Sequence, residues 1–215
     1  MATAGGYNLF WQPADGSSPV ERLTSSTCQR WPGSWSDEGR ILTIIEKCKD
    51  DTNRSILRMG DRQVTSLLNS RFDESCAEFS PDGHWLAYMS DESGREEVYV
   101  RPFPGSGGRR QISSDGGSEP LWARSGRELF YRQGPRIWSV DIGPGPGLST
   151  GKPHLLFEQP AYASWGAVRD WDISLDGQRF LMVKMEEKKP QPVTELILVQ
   201  NWLEELKRLC PAGKN

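Results

Sequence analysis

A short phrase that ends on glycine returns four times along this chain at nearly constant spacing. It occupies residues 35–39, 79–83, 122–126 and 173–177, and its closing glycines lie 44, 43 and 51 residues apart. A period near 44 residues with strand-like composition is typical of blades stacked in a ring. The repeat therefore predicts an all-β chain that folds as a β-propeller.

Each period contains the same succession of segments. The glycine phrase is typical of a tight turn, because Asp-Gly supplies the positive φ that hairpins need. A mostly apolar segment follows it, at 41–45, 85–89, 128–131 and 180–183. A third segment lies at 55–59, 98–101, 137–140 and 196–199, and a more polar fourth at 63–65, 110–112 and 154–157. Apolar residues on both faces indicate strands covered on both sides, so we expect four-stranded antiparallel blades.

The amino-terminal segment fits the same succession but begins in the middle of a blade. Residues 8–13 and 22–25 align without a gap on 97–102 and 111–114 when shifted by 89 positions, about two periods. We expect one array over 1–215 with a partial blade at 7–26, blades at 29–70, 72–117 and 118–160, a last blade at 165–201 and a short terminal helix at 202–209. The helix is predicted to cap the array, with docking of a partner as the alternative.

This count of about four to five blades predicts an incomplete or atypically closed propeller. One interpretation is the carboxy-terminal part of a longer propeller, of six blades or more. The other is a compact ring that merges both ends into four or five blades. An array left open exposes strand edges and an apolar blade face, so we expect self-association through the open edges.

Composition excludes several partners. The net charge is −3, with 26 Lys and Arg interspersed among 29 Asp and Glu. No basic stripe follows from this, so we expect no nucleic-acid binding. No run of 18 apolar residues occurs, so we expect no membrane insertion. The first residues carry no signal-peptide pattern.

Metal and cofactor sites are not expected either. Cys28, Cys48, Cys76 and Cys210 form no CxxC pair, so we interpret them as single buried or half-buried thiols without zinc. Acidic turns such as Asp82-Gly83 each offer one carboxylate, too few oxygens for calcium. Glycine-rich stretches at 104–108 and 143–147 precede no helix, so they are predicted to be loops between third and fourth strands.

Catalytic motifs are also missing from the sequence. The chain has two histidines, His84 and His154, which the repeat places in a turn and on an outer strand. It has no G-x-S-x-G elbow, no P-loop and no kinase motif. We therefore expect no enzymatic activity from this chain.

The loop that enters each innermost strand of a propeller faces the central axis, so a channel rim is the predicted ligand site. Residues seven to nine before each repeat glycine converge there, and nearby tryptophans add aromatic surface. The predicted ligand-binding residues are Arg30, Trp31, Glu74, Ser118, Glu119, Trp165, Arg169 and Asp170. Trp171 is expected beside them, and the other tryptophans are predicted to lie in the core.

Residues 79–88, with Phe79-Ser80-Pro81-Asp82-Gly83, and the strand at 97–100 resemble the WD40-like (PD40) repeat of TolB-like propellers. The ending at 198–207 is similar to the finish of such propellers in soil bacteria, where they often follow a serine/threonine kinase or a winged-helix regulator. The resemblance implies a β-propeller and a periplasmic location; without it the cytoplasm is the alternative.

The resulting functional hypothesis is a non-catalytic scaffold that binds a protein or peptide at the channel rim. The alternative is the regulatory or sensor propeller of a larger enzyme, a serine/threonine kinase or an oligopeptidase-like hydrolase, whose catalytic domain is absent from this chain.

Overall fold

The computed structural model describes residues 6–36, 39–49, 51–68, 70–105, 107–145, 147–160, 169–184 and 208–209. Its strands are β1 (Phe10–Trp11), β2 (Glu21–Arg22), β3 (Gln29–Trp35), β4 (Ile41–Cys48), β5 (Asp51–Arg58), β6 (Val64–Leu68), β7 (Glu74–Phe79), β8 (Trp85–Ser90), β9 (Glu97–Pro102), β10 (Arg110–Gln111), β11 (Ser118–Trp122), β12 (Glu128–Gln133), β13 (Arg136–Gly143), β14 (Ser149–Thr150), β15 (His154–Glu158), β16 (Trp171–Ile173) and β17 (Phe180–Met182).

The chain divides into two compact units, Met1–Met185 and Glu186–Asn215. All seventeen strands belong to the first unit. In the second unit the described residues are Arg208 and Leu209, which are helical. The rest of the predicted helix at 202–209 and the predicted strand at 196–199 lie outside the described residues. Within the described part of the chain, no helix combines the length and the apolar character needed to span a membrane.

Antiparallel blades form the first unit, and the predicted all-β propeller is confirmed. The first blade has the order β3-β4-β5-β6, and the second has β7-β8-β9-β10. In the third, β11-β12-β13 is completed by β14 and β15, which both pair with β13. The hairpin-like pairs β1-β2 and β16-β17 flank the three complete blades. The two glycine-rich stretches lie between third and fourth strands, as expected.

The four repeat glycines have the same backbone conformation. Gly39, Gly83, Gly126 and Gly177 have φ values of 66°, 71°, 67° and 69°. This left-handed region is open to glycine without steric cost, whereas a Cβ makes it unfavourable. The glycine therefore reverses the chain between the first and second strand of each blade, which explains why the phrase recurs.

Four apolar layers hold neighbouring blades together. Between β1-β2 and the first blade lie Leu9, Leu23, Leu42, Ile44 and Leu57. Between the first and second blades lie Ile56, Leu67, Leu68, Phe79, Leu86, Tyr88 and Tyr99. Between the second and third lie Ala87, Val98, Val100, Ile112, Trp122, Leu129, Tyr131, Val140 and Ile142. Between the third blade and β16-β17 lie Leu121, Ala123, Phe130, Ile137 and Trp171. Alternate residues of one strand thus serve opposite layers, as a blade covered on both faces requires.

The pair β1-β2 repeats the register of β9-β10. Phe10 pairs with Arg22 and Trp11 with Glu21, just as Tyr99 pairs with Gln111 and Val100 with Arg110. Every residue in these four pairs is related to its counterpart by the 89-residue shift. The amino-terminal segment therefore has the geometry of third and fourth blade strands.

Candidate functional site

The innermost strands β3, β7, β11 and β16 surround two adjoining cavities. The cavity beside the repeat turns has a volume of about 490 Å³, and the second has about 410 Å³. Ser34, Trp35, Glu78 and Arg169 line both. We refer to the two together as the axial cavity. Its walls come from the inner strands of the blades, which makes it the natural place to look for a ligand.

A β-bulge interrupts each of the three complete inner strands. The register shifts between Pro32 and Trp35 in β3, between Ser75 and Glu78 in β7, and between Ser118 and Leu121 in β11. Cys76 and Glu119, inside two of these bulges, have φ values of 50° and 54°. A bulge turns the following side chains to a new direction. It therefore decides which residues of an inner strand face the axial cavity.

Arg169 links the fourth inner strand to two other blades. Its Nη1 donates to Glu78 Oε2 at 2.8 Å and to the carbonyl oxygen of Pro120 at 3.4 Å. Its Nε donates to the carbonyl oxygen of Trp171 at 3.1 Å. Burial raises the pKa of Glu78, and the adjacent Arg169 offsets only part of this rise. The ion pair is thus a charged, partly desolvated feature in the wall of the axial cavity.

A second charged cluster lies around Arg132, which is buried. Arg132 Nη1 lies 3.2 Å from Asp170 Oδ1 and 3.9 Å from Glu119 Oε2, and its Nε donates to the carbonyl oxygen of Gly134 at 2.9 Å. Two carboxylates, one from β11 and one from the residue just before β16, therefore share one guanidinium. Such a buried network fixes its members in one geometry, because breaking it leaves a desolvated charge.

Cys76 lies in the wall of the 410 Å³ cavity but is a poor nucleophile. Burial, followed by the negative charge of Glu119, raises the pKa of its thiol to about 11. The thiolate is the reactive form of cysteine, and it is scarce near neutral pH at this pKa. Neither His84 nor His154 lines the axial cavity, and both are exposed.

The structure brings some of the predicted rim residues together and leaves others apart. Glu119, Arg169 and Asp170 come together in the two charged clusters just described. Arg30 instead pairs with Glu46 on the same blade, and Trp31 packs edge-on against Tyr7 with ring centroids 5.9 Å apart.

Glu74 and Ser118 lie away from the axial cavity, and Trp165 falls outside the described residues. Glu74 lines a groove with Tyr88 and Arg101, and Ser118 lines a groove with Arg95 and Asp115. The expectation for Trp171 was wrong, because its ring is buried in the core against Phe180.

Four residues of the axial region were missed by sequence reasoning: Trp35, Arg54, Glu78 and Arg132. Trp35 was assigned to the repeat phrase and expected in the core, yet it is 48% exposed and lines the axial cavity. Glu78 lies two residues beyond the predicted rim segment because of the bulge in β7. Neither the sequence of β5 nor that of β12 has a pattern that singles out Arg54 or Arg132.

The cysteine prediction needs correction, because Cys28 and Cys48 form a disulfide and are not single thiols. They directly extend the β3-β4 ladder, in which Gln29 pairs with Lys47. Among the described residues Cys28, Glu46 and Cys48 also lie close enough together to suggest a metal site. Both sulfurs are bonded to each other, so neither is a thiolate ligand.

Comparison with known proteins supports the fold. No protein-family model matches the chain. TolB from Acinetobacter baumannii is similar with a TM-score of 0.60 and 18% identity, over 87% of this chain and 46% of that one. A putative TolB from Agrobacterium tumefaciens has a TM-score of 0.56 and 17% identity, over 83% and 70%. An oligogalacturonate lyase in complex with manganese has a TM-score of 0.62 and 12% identity, over 84% and 54%.

These similarities establish a TolB-like β-propeller fold. The chain spans about half the length of the A. baumannii TolB and of the lyase. The matched structures include an enzyme as well as TolB proteins, so the fold by itself does not define an activity.

Proposed function

We propose that this chain is a non-catalytic recognition module that binds a segment of protein or peptide in the axial cavity. The proposal rests mainly on Trp35, a large aromatic side chain exposed in a cavity that also contains the Arg169–Glu78 ion pair. Aromatic residues beside charged groups dominate the binding energy of protein interfaces. Cavities of 410 and 490 Å³ also fall within the range of ligand sites.

The chemistry of the site favours recognition over catalysis. The thiol of Cys76 is protonated near neutral pH, and the carboxylates of Glu78, Glu119 and Asp170 are engaged by arginines. A general base needs a proton acceptor poised near the operating pH and within reach of substrate. The ion pairs instead present fixed charges to a ligand.

Two tryptophans of similar exposure provide the test. Trp35 is 48% exposed in the axial cavity, and Trp11 is 46% exposed on β1, outside it. Peptides are selected from a displayed random library on the wild-type protein, and their affinities are measured by calorimetry. Trp35→Ala is expected to weaken binding at least tenfold, as loss of a hot spot of about 2 kcal/mol does. Trp11→Ala is expected to leave the affinity unchanged.

Failure to enrich any peptide, or equal affinities for wild-type protein and Trp35→Ala, would contradict the proposal. Because Trp35 is half exposed, its removal should not unfold the protein. Circular dichroism melts of both variants check this directly.

A second candidate is the regulatory or sensor propeller of a larger enzyme, a kinase or an oligopeptidase-like hydrolase. It is favoured by the similarity to a lyase and by the coverage of about half the length of two matched structures. Sequencing the gene beyond both ends distinguishes the candidates. A kinase or hydrolase domain in the same reading frame supports this candidate, and a chain without one supports the free binding module.

The resemblance to the PD40 repeat and the interpretation as the carboxy-terminal part of a longer propeller belong to the same proposal. The coverage of about half the length of two matched structures supports them. β1-β2 has the geometry of third and fourth strands, whereas β16-β17 occupies the first and second positions.

Self-association through the open edges of the array is proposed as well, because unpaired strand edges and exposed apolar side chains at the ends favour contact with another copy. Leu181 is 74% exposed on β17 and Phe10 is 56% exposed on β1. A head-to-tail contact between two copies buries both.

A further inference from the structure

Arg54 is a buried arginine in the wall of the axial cavity. It lies near the start of β5, where it pairs with Ile45 of β4 and Leu68 of β6. It lines the 410 Å³ cavity together with Cys76, Glu78 and Arg169. Its side chain is therefore held between blades, with its position set by two neighbouring strands rather than by a loop.

Two nitrogens of the Arg54 guanidinium have no hydrogen-bond partner among the described residues. The residue is only 6% exposed, and neither its Nε nor its Nη1 has a hydrogen-bond acceptor. A buried donor without an acceptor is destabilising, and more so when it carries a charge. Burial lowers the pKa of Arg54, and the nearby Cys76, Asp73 and Glu74 offset this in part. An arginine nevertheless stays charged near neutral pH.

The carboxylates of the two charged clusters are not paired with Arg54. Glu78 accepts from Arg169 at 2.8 Å. Glu119 and Asp170 lie against Arg132 at 3.9 and 3.2 Å. Arg169 and Arg132 are thus each paired with a carboxylate, whereas no ion pair of Arg54 is found among the described residues, although Asp73 and Glu74 lie near enough to act on its charge.

We propose that Arg54 is a carboxylate-binding subsite, and that a carboxylate of the bound peptide pairs with its guanidinium. This inference rests on the proposed function and specifies the chemistry of the ligand. The planar fork of arginine donates two parallel hydrogen bonds to a carboxylate. Burial of the site strengthens such a pair relative to water.

The charge of the cavity favours a carboxylate over a phosphate. Among the residues that line this cavity, Arg54 and Arg169 contribute two positive charges and Glu78 one negative charge, which leaves an excess of one positive charge. A singly charged carboxylate neutralises Arg54, whereas a doubly charged phosphate leaves an excess negative charge facing Glu78. Like charges in a desolvated site repel strongly.

The direct test uses small probes and the resonance of the Arg54 Nε–H group. N-acetylglycine represents a peptide carboxy terminus, and N-acetylglutamic acid α-amide represents a glutamate side chain. Their neutral controls are N-acetylglycinamide and N-acetylglutamine amide, and inorganic phosphate is a further probe. In ¹⁵N-labelled protein, one or both carboxylates are expected to shift the Arg54 signal with millimolar affinity, and the amides are expected to leave it unmoved. The carboxylate that binds more tightly identifies the source.

Arg54→Met removes the guanidinium, and the signal that disappears in this variant is thereby assigned to Arg54. Methionine removes the unpaired donors but keeps much of the side-chain volume, so the unfolding midpoint is expected at or above that of wild type. Probe binding is expected to be lost. Arg58→Met, on the same strand at an exposed position, is the control and is expected to bind the probes normally. Arg54→Lys keeps the charge without the fork and is expected to bind several-fold more weakly.

An Arg54 signal unmoved by both carboxylates overturns the inference, as does tighter binding of phosphate than of either carboxylate. A midpoint well below wild type for both Arg54→Met and Arg54→Lys also contradicts it, because that identifies a structural role. If selected peptides bind in a Trp35-dependent manner but ignore Arg54→Met, the proposed function stands and this inference fails. If the probes bind Arg54 but no peptide is enriched, the carboxylate subsite stands and the peptide proposal fails.

Discussion

Two polar side chains reinforce the repeat turn in addition to its glycine. In the second blade Ser80 Oγ donates to Asp82 Oδ1 at 2.5 Å and accepts from the Trp85 amide at 2.9 Å. The His84 amide donates to the same carboxylate oxygen at 3.0 Å. Ser174 and Asp176 reproduce this arrangement in the last repeat. The Ser-x-Asp-Gly pattern is thus explained by turn geometry rather than by ligand binding.

Replacing Asp82 by Asn is expected to destabilise the protein by about 1 kcal/mol near neutral pH, because a neutral amide oxygen is a weaker hydrogen-bond acceptor than a carboxylate. Partial burial alone would raise the pKa of Asp82, but hydrogen bonds from Ser80 and the His84 amide offset it and hold that pKa below its usual value. Its stabilisation is therefore present above the unfolded-state pKa of about 3.9 and is lost as the pH falls through the folded-state value.

Urea denaturation of the wild type and of Asp82→Asn, at neutral pH and near pH 3, checks this. The difference in free energy of unfolding should shrink in acid. Asp141→Asn, at an exposed position outside a repeat turn, is the control and should match the wild type at both values. A difference that grows in acid contradicts the account.

Sequence reasoning identified the turn residues but not every residue of the axial cavity. Asp-Gly and Ser-Gly act locally, within the same few residues, so their role is visible in the sequence. The direction of Glu78 depends on a bulge that forms only when β7 pairs with β8. A one-residue change in register turns a side chain to the other face, which is why Glu78 was missed and why Arg30 was placed at the rim.

The start of the third strand carries an equivalent polar residue in two blades. Asn8 Oδ1 accepts from Thr24 Oγ1 at 3.1 Å and from the Ser26 amide at 2.9 Å. Glu97, which is 89 positions later and fully buried, accepts from Ser113 and from the amides of Asp115 and Gly116 at 3.1 and 2.9 Å. Both side chains attach the loop after the fourth strand to its blade. The alignment by 89 positions predicted that these two segments correspond, but it did not predict the polar contacts that they share.

The Cys28–Cys48 disulfide closes the β3-β4 hairpin at the end opposite its glycine turn. Twenty residues separate the two cysteines, and cross-linking a loop of about this length restricts the unfolded chain by about 3 kcal/mol. The double variant Cys28→Ser/Cys48→Ser is expected to lose about that much stability, measured by urea denaturation. Mass spectrometry after alkylation without a reductant should find both sulfurs blocked in the wild type. Alkylation of both contradicts the assignment.

The sequence contained a signal for this pairing that spacing rules overlooked. The two cysteines lie at similar distances on either side of Gly39, so an antiparallel hairpin centred there places them opposite each other. Motif rules search for close cysteine pairs such as CxxC. A hairpin register was needed to recognise a pair separated by an entire turn and two strands.

At the scale of the molecule, the proposed self-association can be tested at the exposed apolar residues of the two end strand pairs. Leu181 faces outward from β17, and we predict a mass that rises with concentration in light scattering. Leu181→Glu is expected to lower that mass by placing a charge in the contact. Leu155→Glu, at an exposed position on β15, is the control and should leave it unchanged. A constant monomer mass over the dilution series, or equal effects of both substitutions, contradicts head-to-tail association.

The whole-molecule architecture was the most predictable level, because a repeat period and alternation of apolar residues suffice to define stacked blades. Blade closure was not predictable in the same way. Closure depends on how the two ends of the array meet, and a closed ring and an open array use the same local strand patterns. The ligand is harder still to predict from the sequence, because the side chains that bind it come from different blades.

The most direct test of peptide recognition is to locate a bound peptide on the propeller. A peptide selected on the wild-type protein is resynthesised with a photoreactive benzoylphenylalanine, cross-linked, and mapped by mass spectrometry. The account predicts cross-links on residues that line the axial cavity, such as Ser34, Glu78 and Leu121. Cross-links confined to outer strands such as β10 and β15, with none on the inner strands, would contradict it.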